Sequence, residues 1–307
     1  MQKKQKLIII SGPTATGKTE LAIQIALKCS CEIISVDSKQ VYKHMDIGTA
    51  KPTTLQQELV SHHMIDVVYP HEEFNATIFL TQAKEAVESI SRNNKNVIVC
   101  GGTGLYIKAL TKGLFLGPAQ NQDIRKELRE LANTHGKAYL HGELANVDPE
   151  SAAVIEKNDV VRVVRALEVY KLSGIPISQF HRNHSFRDSF FDTLKIGLFI
   201  ERNHLSKRIE ERVEHMMDMG FYNEVEALLD MGYTENLKPL KGFGYRQLIR
   251  SIQGNAPLNV AIEDIKRDTK KYAKRQMTWF RSDKEIIWFS YPYPLREIYS
   301  LIEAFLM

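Results

Sequence analysis

Residues 11–20 read SGPTATGKTE. Gly12, four residues, then Gly17-Lys18-Thr19 fits G-x-x-x-x-G-K-[ST], a pattern that needs a strand running through a glycine turn into a helix. The flanks supply that context: the apolar run Leu7–Ile10 precedes it and the helix-like run Leu21–Lys28 follows. In such a turn, backbone N–H groups and a helix N-terminus face an anion, and Lys18 adds a point charge. The pattern therefore commits the chain to an α/β core. It leaves open whose phosphate is held.

The remainder of the first third agrees. Leu7–Ile10, Glu32–Val36, His63–Val67 and Asn96–Cys100 read as short buried strands. Between them lie helical stretches such as Ala76–Ser91, with Ile78, Ala83, Ala86, Val87 and Ile90 at helical spacing. Alternating strands and helices predict a mostly parallel sheet flanked by helices, with ligands at the carboxyl ends of the strands. Three segments follow strand ends: the phosphate loop, VDSKQVYKHMDIGTAKP and CGGTGLYIKAL. They are expected to meet at one cleft. From Pro118 onward the pattern turns helical, over Asn121–Asn133, Pro149–Lys157 and Asp159–Leu172, until Leu194–Ile200 reads as a strand again. The expected organisation is a core of 1–118 and 194–307, with a helical insertion over 119–193. Helices over Leu205–Met219 and Asn223–Met231, the loop LKPLKGFGYRQ, a basic helix IKRDTKKYAKRQMTWFR and a closing edge strand Glu285–Phe289 complete the expectation.

Bulk properties narrow the class. The opening MQKKQKLIII carries four apolar residues before Ser-Gly-Pro, so it reads as a first strand and not a signal peptide. No apolar run reaches membrane-spanning length. Cys29, Cys31 and Cys100 form no C-x-x-C pair, which fits idle thiols in a reducing cytoplasm better than a metal site. Lys and Arg number 41 against 37 acidic residues, a net charge of +4 that permits a polyanionic partner without requiring one.

What accompanies the loop is unusual for a nucleotide hydrolase. N-K-x-D and D-x-x-G motifs are absent, and the strand NVIVC ends in Cys100-Gly101-Gly102-Thr103, with no Asp for a metal. Asp37, directly after the second strand, sits instead at the cleft mouth. It suits a metal contact or proton removal from an attacking group, and equally a helix cap supplied by Asp37 or Ser38. GGTGLY is either a close-approach turn for a ligand or an ordinary strand-to-helix turn. Arg162 and Arg165 lie on one helical face, open to RNA, to solvent or to pairing with Glu168. Arg267, Lys270, Lys271 and Lys274 form a basic side interleaved with Tyr272, Trp279 and Phe280, which suits RNA or a solvated amphipathic helix.

Taken together, GPTATGKT, DSKQVYKHMDIGTAKP, HHMIDV, GGTGLYIKALTKGL, NDVVRVVRALEV, RIEERVEHMMDMGFYNEVEALL, KGFGYRQ and YAKRQMTWFR resemble the bacterial tRNA dimethylallyltransferase family, in its order and over residues 12–281. The resemblance implies that the loop holds the diphosphate of dimethylallyl diphosphate. The five-carbon group would pass to N6 of adenine 37, beside the anticodon. It implies diphosphate contacts from Gly12, Pro13, Thr14, Ala15, Thr16, Gly17, Lys18 and Thr19, with Arg208 and Arg212 as further candidates. Thr19 would bind Mg²⁺, Asp37 would act as base, and Thr103 would lie beside the reacting centre. Contacts to the tRNA anticodon stem-loop would come from Asp37, Ser38, Lys39, Gln40, Thr103 and Arg125. Val161, Arg162, Val163, Val164 and Arg165 would add to them, as would Lys241, Gly242, Phe243, Gly244, Tyr245 and Arg246. The insertion would close on that stem-loop. Lys270 stands where the family has Arg, which keeps charge but loses a bidentate phosphate contact. The zinc finger of the eukaryotic branch is absent. No membrane and no obligate protein partner are expected. Two other readings fit the motifs alone: a small-molecule kinase of the P-loop class, and a non-enzymatic nucleotide-dependent RNA-binding protein. The long C-terminal half argues against the kinase.

Overall fold

The computed structural model describes residues 4–114, 117–184 and 190–307. Residues 1–3 and 115–116 of the expected core, and 185–189 of the expected insertion, lie outside that description. The first part alternates strand and helix: β1 (Lys6–Ser11), α1 (Lys18–Cys29), β2 (Cys31–Val36), α2 (Thr54–Leu59), β3 (His62–His63), α3 (Ala76–Arg92), β4 (Asn96–Gly101) and α4 (Gly104–Lys112). A helical stretch follows, with α5 (Gln122–His135), α6 (Lys137–Val147), α7 (Pro149–Val154), α8 (Val160–Ser173) and α9 (Ile177–His184). The sheet resumes with β5 (Asp192–Phe199). Then come α10 (Arg202–Asp218), α11 (Phe221–Asp230), α12 (Tyr245–Ile252), α13 (Leu258–Arg281), β6 (Ile287–Ser290) and α14 (Leu295–Leu306).

The six strands are all parallel, in the order β3-β2-β4-β1-β5-β6. Alternation along each strand explains the layers. Leu7 and Ile9 of β1, with Val97 and Val99 of β4, face one apolar cluster shared with α3 and α10–α13. Ile8, Ile10, Ile98 and Cys100 face the other, shared with α1 and α14. Strands buried on both faces must be apolar throughout, which is why these runs read as continuous hydrophobic stretches. Lys195 of β5 is the exception. Its buried ammonium is paired with Asp283 at 2.7 Å and Glu285 at 2.5 Å, the condition for keeping a charge inside.

Two compact units result, Met1–Thr111 with Phe190–Met307, and Lys112–Ser189. The second has its own core, built on Leu128, Leu140, Leu144, Val163, Val164, Leu167 and Val169. Asp192 and Thr193, placed in the insertion by the sequence, belong to β5. Of the strand expected over His63–Val67 only His63 belongs to β3, because Met64 and Asp66 adopt positive φ of 65° and 55°. The chain also continues past its edge strand. α14 buries Ile298 and Ile302 against Leu194, Ile196 and Leu198, and its start at Pro294 has no side-chain cap to announce it.

Truncating that contact tests the added layer. Ile298→Ala should lower unfolding stability by about 2–5 kcal/mol in a denaturant titration, the range for a buried Ile. A loss within ~0.5 kcal/mol, as at a surface position, would show α14 undocked.

Candidate active site

The turn from β1 to α1 is held from outside. Pro13 O accepts hydrogen bonds from Lys18 Nζ (2.6 Å) and Thr16 Oγ1 (2.8 Å). Ala15 O accepts from Arg208 Nε of α10 at 3.0 Å. Thr16 O accepts from the Tyr293 hydroxyl at 2.7 Å. The Thr14 N–H donates to Gln276 Oε1 of α13 at 2.9 Å. The N-terminus of α1 carries no side-chain cap, so its first amides are open to an anion.

The three segments after β1, β2 and β4 do line one cleft: Thr14, Lys18 and Thr19 from the first, Asp37 to Gln40 from the second, and Gly101 and Gly102 from the third. α10 contributes Arg212, Val213 and Met216, and α13 contributes Thr269, Tyr272 and Gln276. Asp37 makes a local turn. Its Oδ1 accepts from the N–H of Lys39 at 2.8 Å and of Gln40 at 3.4 Å. The capping role is therefore present, though it caps a turn and not a helix. Among the described residues both bonds fall on Oδ1. Thr103 lies just behind, with Oγ1 accepting from Ser38 N–H at 3.1 Å and its own N–H donating to Val36 O at 3.1 Å.

Cations dominate the cleft. Burial draws the Lys18 ammonium down to about 8, opposed by Cys100 and Asp37 and assisted by Arg212. Burial likewise draws Lys39 to about 8, opposed by Asp37 and assisted by Lys238. It also pulls Arg212 below its usual range, opposed by Asp37. Desolvation penalises the charged form of each group, and a bound multivalent anion would offset that penalty, with Arg212 charged throughout. Burial pushes the Cys100 thiol up to about 12, so it is a neutral wall atom.

Other expected residues fall differently. Gln40 is buried, bonded to Ser35 Oγ and to the carbonyls of Thr49 and Ala50. Phe243, Gly244 and Tyr245 line the cleft, but the Tyr245 ring is buried and its hydroxyl donates to Glu224 Oε1 at 2.7 Å. Arg246 is paired with Asp268. Gly12, Pro13, Ala15, Thr16, Gly17 and Arg208 form or brace the loop behind the cleft wall, and Lys241 and Gly242 lie off its lining. Three of the four cations on the basic side of α13 have carboxylates beside them. Lys270 pairs with Glu210, Arg267 with Asp264, and Arg267 and Lys271 both lie near Asp268. Phe280 is buried. Lys270, which stands where the family has Arg, meets the Glu210 carboxylate.

In the second unit, Glu168 is fully buried and accepts four bonds: two from Arg125 (2.8 and 2.9 Å), one from Arg165 (2.7 Å) and one from Asn121 N–H (2.7 Å). Burial alone would raise its carboxyl, but these donors outweigh it and hold it below its usual range. Arg125 and Arg165 thus anchor the unit, and of the readings open for Arg165 the pairing with Glu168 is present. Val163 and Val164 face the core, for they occupy the inner stripe of α8. Arg162 and Val161 remain at the surface, Arg162 near Asp159 at 3.3 Å.

Gln276 and Tyr293 escaped sequence reading. The signal for Gln276 was present: it is a polar residue on the stripe Ile265, Thr269, Ala273, Phe280 that α13 buries.

The IPP transferase family profile matches residues 40–283, about four-fifths of the chain. The chain belongs to the IPP transferase family. It is 50% identical over 291 residues to "tRNA dimethylallyltransferase 2" of Geotalea uraniireducens, covering 95% of this chain and 94% of that one. With "tRNA dimethylallyltransferase" of Geobacter metallireducens it shares 45% over 304 residues, 99% of this chain and 98% of the other. The second match, over 99% of this chain, extends across the phosphate loop, which the family profile does not reach. Among solved structures, the full-length tRNA isopentenylpyrophosphate transferase of Bacillus halodurans superposes with TM-score 0.74 at 36% identity, covering 99% and 97% of the two chains. A eukaryotic dimethylallyltransferase acting on tRNA gives 0.76 at 27%, covering 93% of this chain and 74% of that one.

The cation cluster makes a measurable prediction. At pH 8 Lys18 is about half charged, so binding an organic diphosphate, itself fully ionised, should take up ~0.5 proton through Lys18. Uptake should fade towards pH 6.5, where the ammonium is already formed. Calorimetry in buffers of differing ionisation enthalpy reads this. Lys18→Arg should remove that share, and uptake insensitive to pH and to this change would show that Lys18 does not meet the anion. For the second unit, Arg165→Ala should cost about 1–3 kcal/mol in unfolding, as loss of a charged hydrogen bond. Arg162→Ala should stay within ~0.5 kcal/mol. The reverse order would remove Glu168 as the anchor.

Proposed function

We propose that this chain transfers the dimethylallyl group of dimethylallyl diphosphate to N6 of adenine 37 in tRNA, beside the anticodon, releasing diphosphate. One observation carries the reading beyond family membership. An anion-receiving turn with Lys18 and Thr19 shares a single cleft with the Asp37 carboxylate and with apolar walls from Val213, Met216 and Phe221. Such a cleft suits an allylic diphosphate with the accepting amine beside it.

The chemistry follows from the parts. The N6 lone pair is delocalised into the purine, so N6 attacks only as C1 of the allyl group gains positive character. The C1–N6 bond forms while the C1–O bond breaks, and that electron pair leaves with the diphosphate. Lys18, Arg212 and the α1 amides stabilise the growing anion. The Asp37 carboxylate takes the N6 proton, held by its Oδ1 bonds to the 39 and 40 amides. Thr103, fixed to Ser38, orders the same edge of the cleft.

Mg²⁺ fits this donor set. Among the described residues there is no group of three or more His, Cys, Asp or Glu able to cage a metal. Mg²⁺ however is commonly held by one or two protein oxygens plus substrate phosphates and water. Thr19, beside the phosphate loop on this cleft, is the oxygen we assign to it. When bound, Mg²⁺ would neutralise diphosphate charge.

The target adenine has to leave its stack to reach a cleft of this kind. We assign Arg162 and Val161 of the second unit, and Lys39, Lys241 and Arg246 of the first, to the anticodon stem-loop. Among the described residues no helix is long and apolar enough to cross a membrane, in keeping with work on tRNA in the cytoplasm.

Mass spectrometry of tRNA nucleosides after incubation with dimethylallyl diphosphate and Mg²⁺ should show dimethylallyl-adenosine. Tight ATP binding that excludes dimethylallyl diphosphate, with no such product, would overturn the reading. Asp37→Asn keeps the size and an acceptor oxygen but cannot take the proton. Single-turnover transfer should fall by ~10²–10⁴ with both affinities changed only a few-fold. Substantial rescue by high Mg²⁺ would make Asp37 a metal ligand instead.

A further inference from the structure

β1 and β4 are paired up to Ser11 and Gly101, and beyond that pair their chains diverge into the phosphate loop and the glycine turn. One buried side chain spans the two. Gln276 Oε1 accepts from Thr14 N–H at 2.9 Å, and Gln276 Nε2 donates to Gly102 O at 2.9 Å. The next residue, Thr103, accepts from Ser38 N–H beside Asp37. We infer that Gln276 is a positioning residue, whose amide sets the phosphate loop relative to the turn that carries Thr103 and, through Ser38, relative to Asp37.

The chemistry of the side chain supports this. One end must accept and the other donate, which a primary amide does from two separate atoms; a carboxylate only accepts, an ammonium only donates, and a hydroxyl does both from a single atom. The orientation of the amide is fixed by its partners, a backbone N–H and a backbone carbonyl. Gln276 is held in turn by the buried stripe of α13, between Ala273 and Phe280. The Thr14 N–H, one of the loop amides, is turned away to serve this tie. Thus the leaving-group end and the proton-accepting end of the cleft are registered by α13, an element of neither. The fit is tight: a Cβ on Gly102 would lie 2.2 Å from Gln276 Nε2 and a close 3.3 Å from Gln276 Cδ, while the next contact, 3.7 Å to Gly12 O, is ordinary.

This rests on the prenyl-transfer reading, so wild-type transfer is measured alongside. Gln276→Glu keeps the acceptor for Thr14 but sets a carboxylate against the Gly102 carbonyl, and Gln276→Met drops both bonds at similar volume. In both, single-turnover transfer at saturating substrates should fall about 10- to 100-fold, the scale of a misplacement of about 1 Å. The KM for dimethylallyl diphosphate and the calorimetric affinity for inorganic pyrophosphate should change less than about threefold, as for an interaction absent from ground-state binding. Gly102→Ala, which displaces only the Gln276 amide, should give the same loss even if Gln276→Glu fails to fold. Gly102→Ala/Gln276→Met should be no slower than either single change, since one tie is removed in each. Near-wild-type turnover in the folded variants, losses that multiply, or a loss confined to KM and pyrophosphate affinity would overturn the assignment. Absence of transfer by the wild type would strike the parent reading, leaving pyrophosphate affinity and its insensitivity to Gln276→Met as the test of whether Gln276 touches the anion.

Discussion

An anion can rest in the β1–α1 turn only if the carbonyl oxygens of that turn point away from it. The side chains that hold them away come from across the chain. Arg208 of α10 takes Ala15 O, Tyr293 beyond β6 takes Thr16 O, and Lys18 and Thr16 share Pro13 O. Ala15 stands at φ 64°, left-handed for a residue with a Cβ, which costs about 1–2 kcal/mol. The Arg208 bond to its carbonyl offsets part of that strain. A motif confined to eight residues thus depends on the C-terminal third for its shape, and the electrostatic work proposed for it depends on that shape being set before substrate arrives.

A second anchor of the same kind shapes the opposite wall. Glu224 of α11 accepts from the N–H groups of Asp46 (2.8 Å), Ile47 (2.6 Å) and Gly48 (3.1 Å), and from the Tyr245 hydroxyl. One carboxylate gathers three successive amides and a phenol. Gly48 is thereby pressed against Phe221 and Tyr245, where a Cβ would lie 2.1 Å from the Phe221 ring. This accounts physically for the string MDIGTAKP: its Gly is the only residue that fits between the anchor and the rings. Lys51, paired with Asp46 and Asp66, closes the far side of the loop.

Much of this was legible in sequence. The apolar runs of β1, β2, β4 and β5 are buried on both faces, so composition alone marks them. The glycine loop announces its own turn. Asp37 could be placed at the cleft because a residue directly after a parallel strand has nowhere else to go. What could not be read shares a physical cause. The partners of Arg125, Arg165 and Lys270 are carboxylates 43, 3 and 60 residues away, and an amphipathic helix has the same spacing of charges whether it faces RNA or a buried glutamate. Arg165 and Glu168 were close enough for both outcomes to be named, yet only packing decides that Glu168 is inside. The strand at His63–Val67 failed for a local reason, positive φ at Met64 and Asp66. α14 failed because its boundary is made by Pro294 and tertiary contact, with no polar cap to mark it.

These internal pairings change how the net charge should be understood. An excess of four cations is small, and several of the most conspicuous basic residues are neutralised within the fold. The cations that stay poised are Lys18, Lys39 and Arg212, gathered around one cleft with Asp37 as the acid that opposes their loss of charge. Burial holds all three below their ordinary proton affinity. In the proposed reaction an arriving diphosphate would relieve that penalty, and the relief would grow as negative charge builds on the departing oxygen. The site is then matched to the separated diphosphate more closely than to the intact ester, which is the direction required of a transition-state stabiliser. The same matching favours retention of the diphosphate once it is free. In the proposed reaction, release of diphosphate would thus compete with the transfer itself for control of turnover, and the bonds that hold the phosphate loop from outside would act on both.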